Sequence, residues 1–196
     1  MGMKLKNRYF LLRHGETVYQ TKKKGFTYPW PDKPPVKLTK MGEKEIKNLA
    51  KKLKTKKIDL IFSSDIFRAQ KTAEIVAKEL GIKKINFDKR LRDVNLGIYH
   101  SKTKEEFYRD FPDPKERFFK KPKGGESWNN VKKRIKNFIN DISKKHRNKN
   151  ILIVSHGDPL WLFEGILRGL SNQEFLDEIF YKKNYIKIGE LREIWS

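Results

Sequence analysis

Two short stretches of this 196-residue chain end in the same way. One reads Tyr9-Phe10-Leu11-Leu12 and then Arg13-His14-Gly15-Glu16. The other reads Ile151-Leu152-Ile153-Val154 and then Ser155-His156-Gly157-Asp158. Each apolar run is short for a helix and does not alternate with polar residues. That is the pattern of a strand buried on both faces, as in the middle of a parallel sheet. A third run, residues 58–62, closes on Ser63-Ser64-Asp65, and weaker strand signals lie at residues 84–87, 185–188 and 191–195.

Amphipathic stripes separate these runs. Ile46, Leu49, Ala50 and Leu53 share one helical face. Ile66, Ala69, Ala73, Val76 and Leu80 recur at steps of three and four before Gly81, a plausible C-cap. Trp128, Val131, Ile135, Phe138 and Ile142 form a third stripe, with lysines on the other faces. Pro159 suits the first turn of a helix running to about Arg168, and Ser171 with Glu174 makes a capping box for another. Strands alternating with helices predict a three-layer α/β/α fold around a mainly parallel sheet. Residues 1–196 read as one domain. Residues 22–38, with Gly25, Pro29, Pro31, Pro34 and Pro35, read as a long loop, and so does the segment from Asp110 to Gly125. Such loops in a compact domain are often functional, and about 22–38 and 100–125 are expected to roof a site.

Composition removes several classes of function. There is no cysteine, so thiol catalysis, disulfides and thiolate metal sites are excluded. No apolar run approaches the roughly 18 residues of a membrane span. The start, Met1 to Lys6, reads as a short polar lead-in and not as a signal peptide, and the cytoplasm is the default location. The net charge of +22 comes mostly from lysine, spread over the whole chain. It marks no single segment, so a solvated lysine-rich exterior is favoured over a nucleic-acid-binding face.

In open α/β sheets, ligands bind at the carboxyl ends of the strands, and His14 and His156 both sit there. Arg68 falls in the first turn of the helix after the third strand, at an N-terminus that itself favours anions. Two histidines and two arginines, Arg13 and Arg68, therefore converge. Guanidinium forks match phosphate oxygens pairwise, so a phosphoryl group is the natural occupant. A metal held by His14, His156 and Asp93 is the competing reading, and the two arginines oppose a cation there. Neither metal nor cofactor is expected.

The order of motifs resembles the histidine phosphatase superfamily, the phosphoglycerate mutase-like proteins. Arg13-His14-Gly15-Glu16-Thr17 is similar to its signature, Leu38-Thr39-Lys40-Met41-Gly42 to its first helix opening, and the run from Ser63 to Ala73 to its Ser-Ser-x-x-x-Arg-Ala-x-x-Thr-Ala segment. Leu91-Arg92-Asp93 with Gly97, Gly124-Gly125-Glu126-Ser127 and Ser155-His156-Gly157 complete the set. The resemblance implies that His14 is the nucleophile, that Arg13, Arg68 and a protonated His156 hold the phosphoryl oxygens, and that Asp93 is the general acid where most relatives carry glutamate. Gly15, Thr17 and Gly157 are implied as phosphate-side positions. Gln20 stands where the family often has a phosphate-contacting asparagine. Glu126 is the rival acid, and His100 is a candidate for the substrate end. The implied activity is hydrolysis of a phosphorylated small molecule through a phosphohistidine, with no membrane involvement and with room for a homodimer. A bisphosphoglycerate-dependent mutase and a basic nucleic-acid-binding module are the alternatives.

Overall fold

A computed structural model of the chain describes residues 5–30 and 32–195. Most of the polar lead-in, Pro31 and Ser196 lie outside the described residues. A five-stranded sheet forms the centre, in the order β3-β2-β4-β1-β5, from β1 (Arg8–Arg13), β2 (Leu60–Ser63), β3 (Ile85–Phe87), β4 (Asn150–Ser155) and β5 (Leu191–Ile194). The first four are mutually parallel, and β5 runs antiparallel along the outer edge of β1. The helices are α1 (Lys40–Leu53), α2 (Phe67–Leu80), α3 (Lys104–Asp110), α4 (Trp128–Lys145), α5 (Gly157–Arg168) and α6 (Asn172–Phe180).

The unbroken apolar character of β1 and β4 has a direct cause. Phe10 and Leu12 of β1 with Leu152 and Val154 of β4 point to one face, where they meet Ile46, Ala50 and Leu53 of α1 and Ala69, Ala73 and Val76 of α2. Tyr9, Leu11, Ile151 and Ile153 point to the other, against Val131, Ile135 and Phe138 of α4 and Leu160, Phe163 and Leu167 of α5. Each strand residue thus meets a helical layer, and each fully buried aliphatic or aromatic side chain contributes about 1.5–3 kcal/mol. This is the expected three-layer α/β/α arrangement.

Local signals set most boundaries. Thr39 caps α1 by accepting from Gly42 N at 3.0 Å, Gly81 ends α2 in the left-handed region, and Ser171 and Glu174 form the capping box of α6. Two expectations fail. Residues 185–188 form no strand: the Ile186 carbonyl accepts from Arg13 at 2.8 Å, and the Tyr185 hydroxyl from that stretch reaches Asp158 at 2.6 Å, so the segment is a wall of the site. The segment after His100 also contains α3, started by a capping box between Thr103 and Glu106.

Candidate active site

The carboxyl ends of β1, β4 and β2 are pinned side by side. The backbone N–H of His14 donates to Ser155 O at 3.0 Å, and that of Ser64 donates to Val154 O at 2.9 Å. His14 directly follows β1, His156 is the N-cap of α5 after β4, and Arg68 is the second residue of α2 after β2. Sheet topology alone therefore gathers side chains 54 and 142 positions apart in the chain. The two imidazole centroids are 5.3 Å apart.

The hydrogen-bond network fixes which nitrogen of His14 carries the proton and which keeps its lone pair. Nδ1 lies 2.9 Å from the carbonyl oxygen of Gly15, which can only accept, so Nδ1 carries the proton. Nε2 keeps its lone pair and accepts from Arg68 Nε at 3.2 Å. Burial, and then the charges of Arg68 and Arg13, hold the His14 pKa well below its usual 6.5. The ring is a neutral imidazole with a fixed tautomer, its lone pair covered by the Arg68 donor. Gly15 has no space for a side chain: a Cβ there would lie 2.8 Å from Ile46 Cγ1.

Arg68 is the hub. It is 1% exposed, its guanidinium donates to His14 and to Asp93 Oδ2 (2.8 Å from Nη2), and its Nη1 stands 3.7 Å from the buried carboxylate of Asp32, an ion pair without a hydrogen bond. The ring of Tyr28 covers its face, 3.7 Å from centroid to Cζ. Asp93 is partly exposed. Its Oδ1 accepts from Val94 N, and its Oδ2 stands 3.7 Å from His156 Nδ1. The shorter aspartate arm thus reaches both Arg68 and the neighbourhood of His156.

The expectation that His156 is protonated needs correction. Burial, with Arg68, His14 and Arg13 adding to it, lowers its pKa well below 6.5, so the ring is neutral. Ser64 Oγ, which already accepts from Ile66 N at 3.2 Å, lies 2.9 Å from His156 Nε2. Its hydroxyl proton can serve that nitrogen, and in that arrangement the imidazole proton sits on Nδ1. Nδ1 is buried beside Asp93 without a hydrogen-bond partner among the described residues. Arg13 extends over Tyr185 and donates from Nη1 to Ile186 O, and its Nε is likewise unpartnered.

These groups form the inner end of a cavity of about 630 Å³, lined by Arg13, Arg68, Asp93, His100, Glu126 and Gly157 among others. His14 and His156 lie just beneath this lining, 1% and 0% exposed. A Cβ on Gly157 would come within 2.1 Å of the Tyr185 hydroxyl, so glycine is required where this wall meets the start of α5.

Of the remaining sequence-derived residues, Thr17 and Gln20 do not line the cavity, whereas Glu126 and His100 do. Gln20 does not face the cavity. Its amide oxygen accepts from Thr17 N at 2.8 Å and from Thr17 Oγ1 at 2.9 Å, and its amide nitrogen donates to Tyr28 Oη at 2.8 Å. A capping box has absorbed the amide oxygen, and Tyr28 the amide nitrogen. The Thr17 hydroxyl is spent in the same box, so Thr17 and Gln20 reach the site only through Tyr28. Glu126 lines the cavity, but both its oxygens are taken: Oε1 by Arg134 Nε at 2.9 Å, and Oε2 by Arg134 Nη2 and Asn95 N, each at 3.1 Å. Arg134 in turn donates to the carbonyls of Arg90 and Asp93, so this pair shapes the Asp93 loop. His100 stacks on Trp30 at 5.4 Å in the cavity wall, with Nδ1 donating to Tyr28 O and Nε2 accepting from Leu96 N. Tyr28, Asp32, Arg134 and Tyr185 lie outside the sequence-derived set, because no local pattern marks a loop tyrosine that will cover an arginine.

The description of the histidine phosphatase superfamily (branch 1) matches residues 9–186. The chain belongs to that superfamily. Among histidine phosphatases and their kin, phosphoserine phosphatase 1 of Hydrogenobacter thermophilus is 28% identical over 173 residues, covering 86% of this chain and 79% of the relative. A probable phosphoglycerate mutase of Yersinia enterocolitica is 29% identical over 166 residues, covering 82% and 74%. The solved mycobacterial glucosyl-3-phosphoglycerate phosphatase superposes with a TM-score of 0.79 at 22% identity, over 95% of this chain and 88% of that one, which is a likeness of fold. As a member of the histidine phosphatases, the protein is a phosphatase-type enzyme.

Proposed function

We propose that this chain hydrolyses the monoester of a small phosphorylated metabolite through a phosphohistidine on His14. The observation that carries this reading is the unprotonated Nε2 of a buried, neutral imidazole, fixed by Gly15 O and surrounded by the donors of Arg68, Arg13 and His156. A nucleophile must be uncharged and aimed, and both conditions hold. Arg68 bridges His14 and Asp93, so an arriving phosphoryl group has to take over the Arg68 Nε donor as Nε2 attacks phosphorus. Arg13, Arg68 and His156 Nδ1–H then stabilise the three equatorial oxygens, where charge is spread in flight. In this reading the Gly157 N–H at the start of α5 adds a backbone donor, and Gly15, Thr17 and Gln20 act behind the phosphate as positioning residues.

Asp93 is assigned as proton donor to the leaving oxygen and, in the second step, as base for the attacking water. Glu126 is assigned to holding the Asp93 loop. The whole chain acts as one domain, with 22–38 and 100–125 over the site. His14→Ala should abolish phosphate release from every substrate while leaving the circular dichroism spectrum intact, and rapid quenching of the wild type should trap an acid-labile, base-stable phosphoenzyme. Undiminished turnover by His14→Ala would falsify the assignment. The similarity to a probable mutase supplies a second reading. Phosphoglycerate interconversion that depends on added bisphosphoglycerate, with little phosphate released, would establish it.

A further inference from the structure

The cavity that opens from the phosphoryl centre is, taken whole, much larger than a three-carbon phosphoester needs, and its outer walls are aromatic. Its volume of about 630 Å³ lies in the range that encloses drug-sized ligands. Trp30, Phe107 and Phe111 line it together with Phe26, Tyr108 and Phe180. The last three are 44%, 50% and 51% exposed, so large apolar rings stand open to solvent around one mouth. Exposed aromatic surface concentrated at a site mouth marks contact with an apolar ligand body.

One charge in this wall lacks a counter-ion. Arg117 is half-buried, and among the described residues no carboxylate lies within ion-pair distance of it. Its Nε and Nη2 both donate to Phe111 O, at 3.3 and 2.8 Å, and its guanidinium rests 4.8 Å from the Tyr108 ring centroid and 5.4 Å from that of Phe107. Among the described residues Nη1 has no hydrogen-bond partner. The cavity carboxylates are already committed: Asp93 to Arg68, Glu126 to Arg134, and Asp158 to the donors of Trp128 and Tyr185. At the rim, the Lys104 ammonium donates only to Lys24 O and is crowded by the charges of Arg13 and Lys24. Burial also works against the charged form of Arg117. Among the described residues the Arg117 charge meets only a carbonyl and aromatic faces, and an anion from outside the chain would neutralise it.

We propose that the preferred substrate is a phosphomonoester whose leaving alcohol carries an aromatic or comparably bulky apolar body and a second anionic group, the body held among the cavity rings and the anion by Arg117 with Lys104. This rests on the phosphatase reading above. Three probes separate the components: para-carboxybenzyl phosphate has ring and anion, para-carbamoylbenzyl phosphate has the ring only, and phosphoserine has the carboxylate without the ring. The expected kcat/KM for the first exceeds each of the others by about ten-fold or more, the size of one charge-assisted contact or one buried ring. Arg117→Met should bring the carboxy-to-carbamoyl ratio to within about three-fold, and Arg117→Lys should restore part of it. If Arg117→Met does not fold, Lys104→Met read by the same ratio takes its place. Equal kcat/KM for the two benzyl esters, or a preference for phosphoserine, overturns the proposal and leaves the phosphatase reading standing. Failure to release phosphate from any probe above the His14→Ala level overturns the phosphatase reading itself.

Discussion

Arg68 donates its Nε–H to Nε2 of His14 across 3.2 Å, the same nitrogen that is proposed to attack phosphorus. One guanidinium thus covers the nucleophile and grips Asp93 through Nη2 at 2.8 Å, with Tyr28 closing its face. On the proposed mechanism Arg68 has two tasks, to hold Asp93 and to release His14 Nε2 as the phosphoryl group arrives. A lysine keeps the charge but cannot span His14 and Asp93 together. Arg68→Lys should lower kcat by about 100-fold or more, the usual size of losing one preorganised donor, and should weaken competitive inhibition by vanadate. A loss below five-fold in steady-state kinetics would remove Arg68 from the centre of the mechanism.

The pH dependence follows from burial. His14 and His156 have folded-state pKa values well below 6.5, because desolvation and the neighbouring arginines oppose their charged forms. In the unfolded chain both take up protons near 6.5. Below that pH the unfolded state binds more protons than the folded one, so stability falls as pH falls; above it, these groups contribute no slope. Thermal midpoints should be level above pH 6.5 with respect to these two residues and decline on acidification, and His156→Gln should flatten that decline. An unchanged slope in the variant would show that His156 titrates normally in the fold.

Asp93 and Glu126 make opposite kinetic predictions. If Asp93 supplies the leaving-group proton, Asp93→Asn should cost about 100- to 10,000-fold in kcat on alkyl phosphates. The cost should be far smaller on para-nitrophenyl phosphate, whose leaving group departs without a proton. Glu126→Gln should lower activity on both substrates alike, by about ten-fold or less, and reduce stability by about 1–3 kcal/mol, because Arg134 loses its charged partner and the Asp93 loop loosens. A selective effect of Glu126→Gln on the alkyl esters would exchange the two assignments.

Gln20 tests the difference between touching phosphate and positioning what covers the site. Its amide is consumed by Thr17 and Tyr28. Gln20→Ala should destabilise the protein by about 1 kcal/mol, the usual size of a lost cap interaction, and change kcat/KM by only a few-fold, through the Tyr28 ring over Arg68. A loss of inhibition by inorganic phosphate equal to that of an arginine variant would place the Gln20 amide on the phosphate.

Much of this protein was legible from local pattern. The unbroken apolar runs at Tyr9 to Leu12 and Ile151 to Val154 meant strands buried on two faces, and that property alone dictated a parallel sheet between helical layers. The histidine and arginine at the strand ends then had one shared edge to occupy. The sequence by itself determined the fold class and the placing of His14 and His156 at strand ends, because hydrophobic period and strand-end position are short-range properties. Only the tertiary structure decided the rest. It used Gln20 in a capping box, locked Glu126 to Arg134, turned residues 185–188 from a strand into a wall, and set Tyr28 over Arg68 from a proline-rich loop. It also left Arg117 facing the cavity without a carboxylate. Each of these depends on which donors and acceptors remain once distant segments are packed together, and no reading along the chain contains that count.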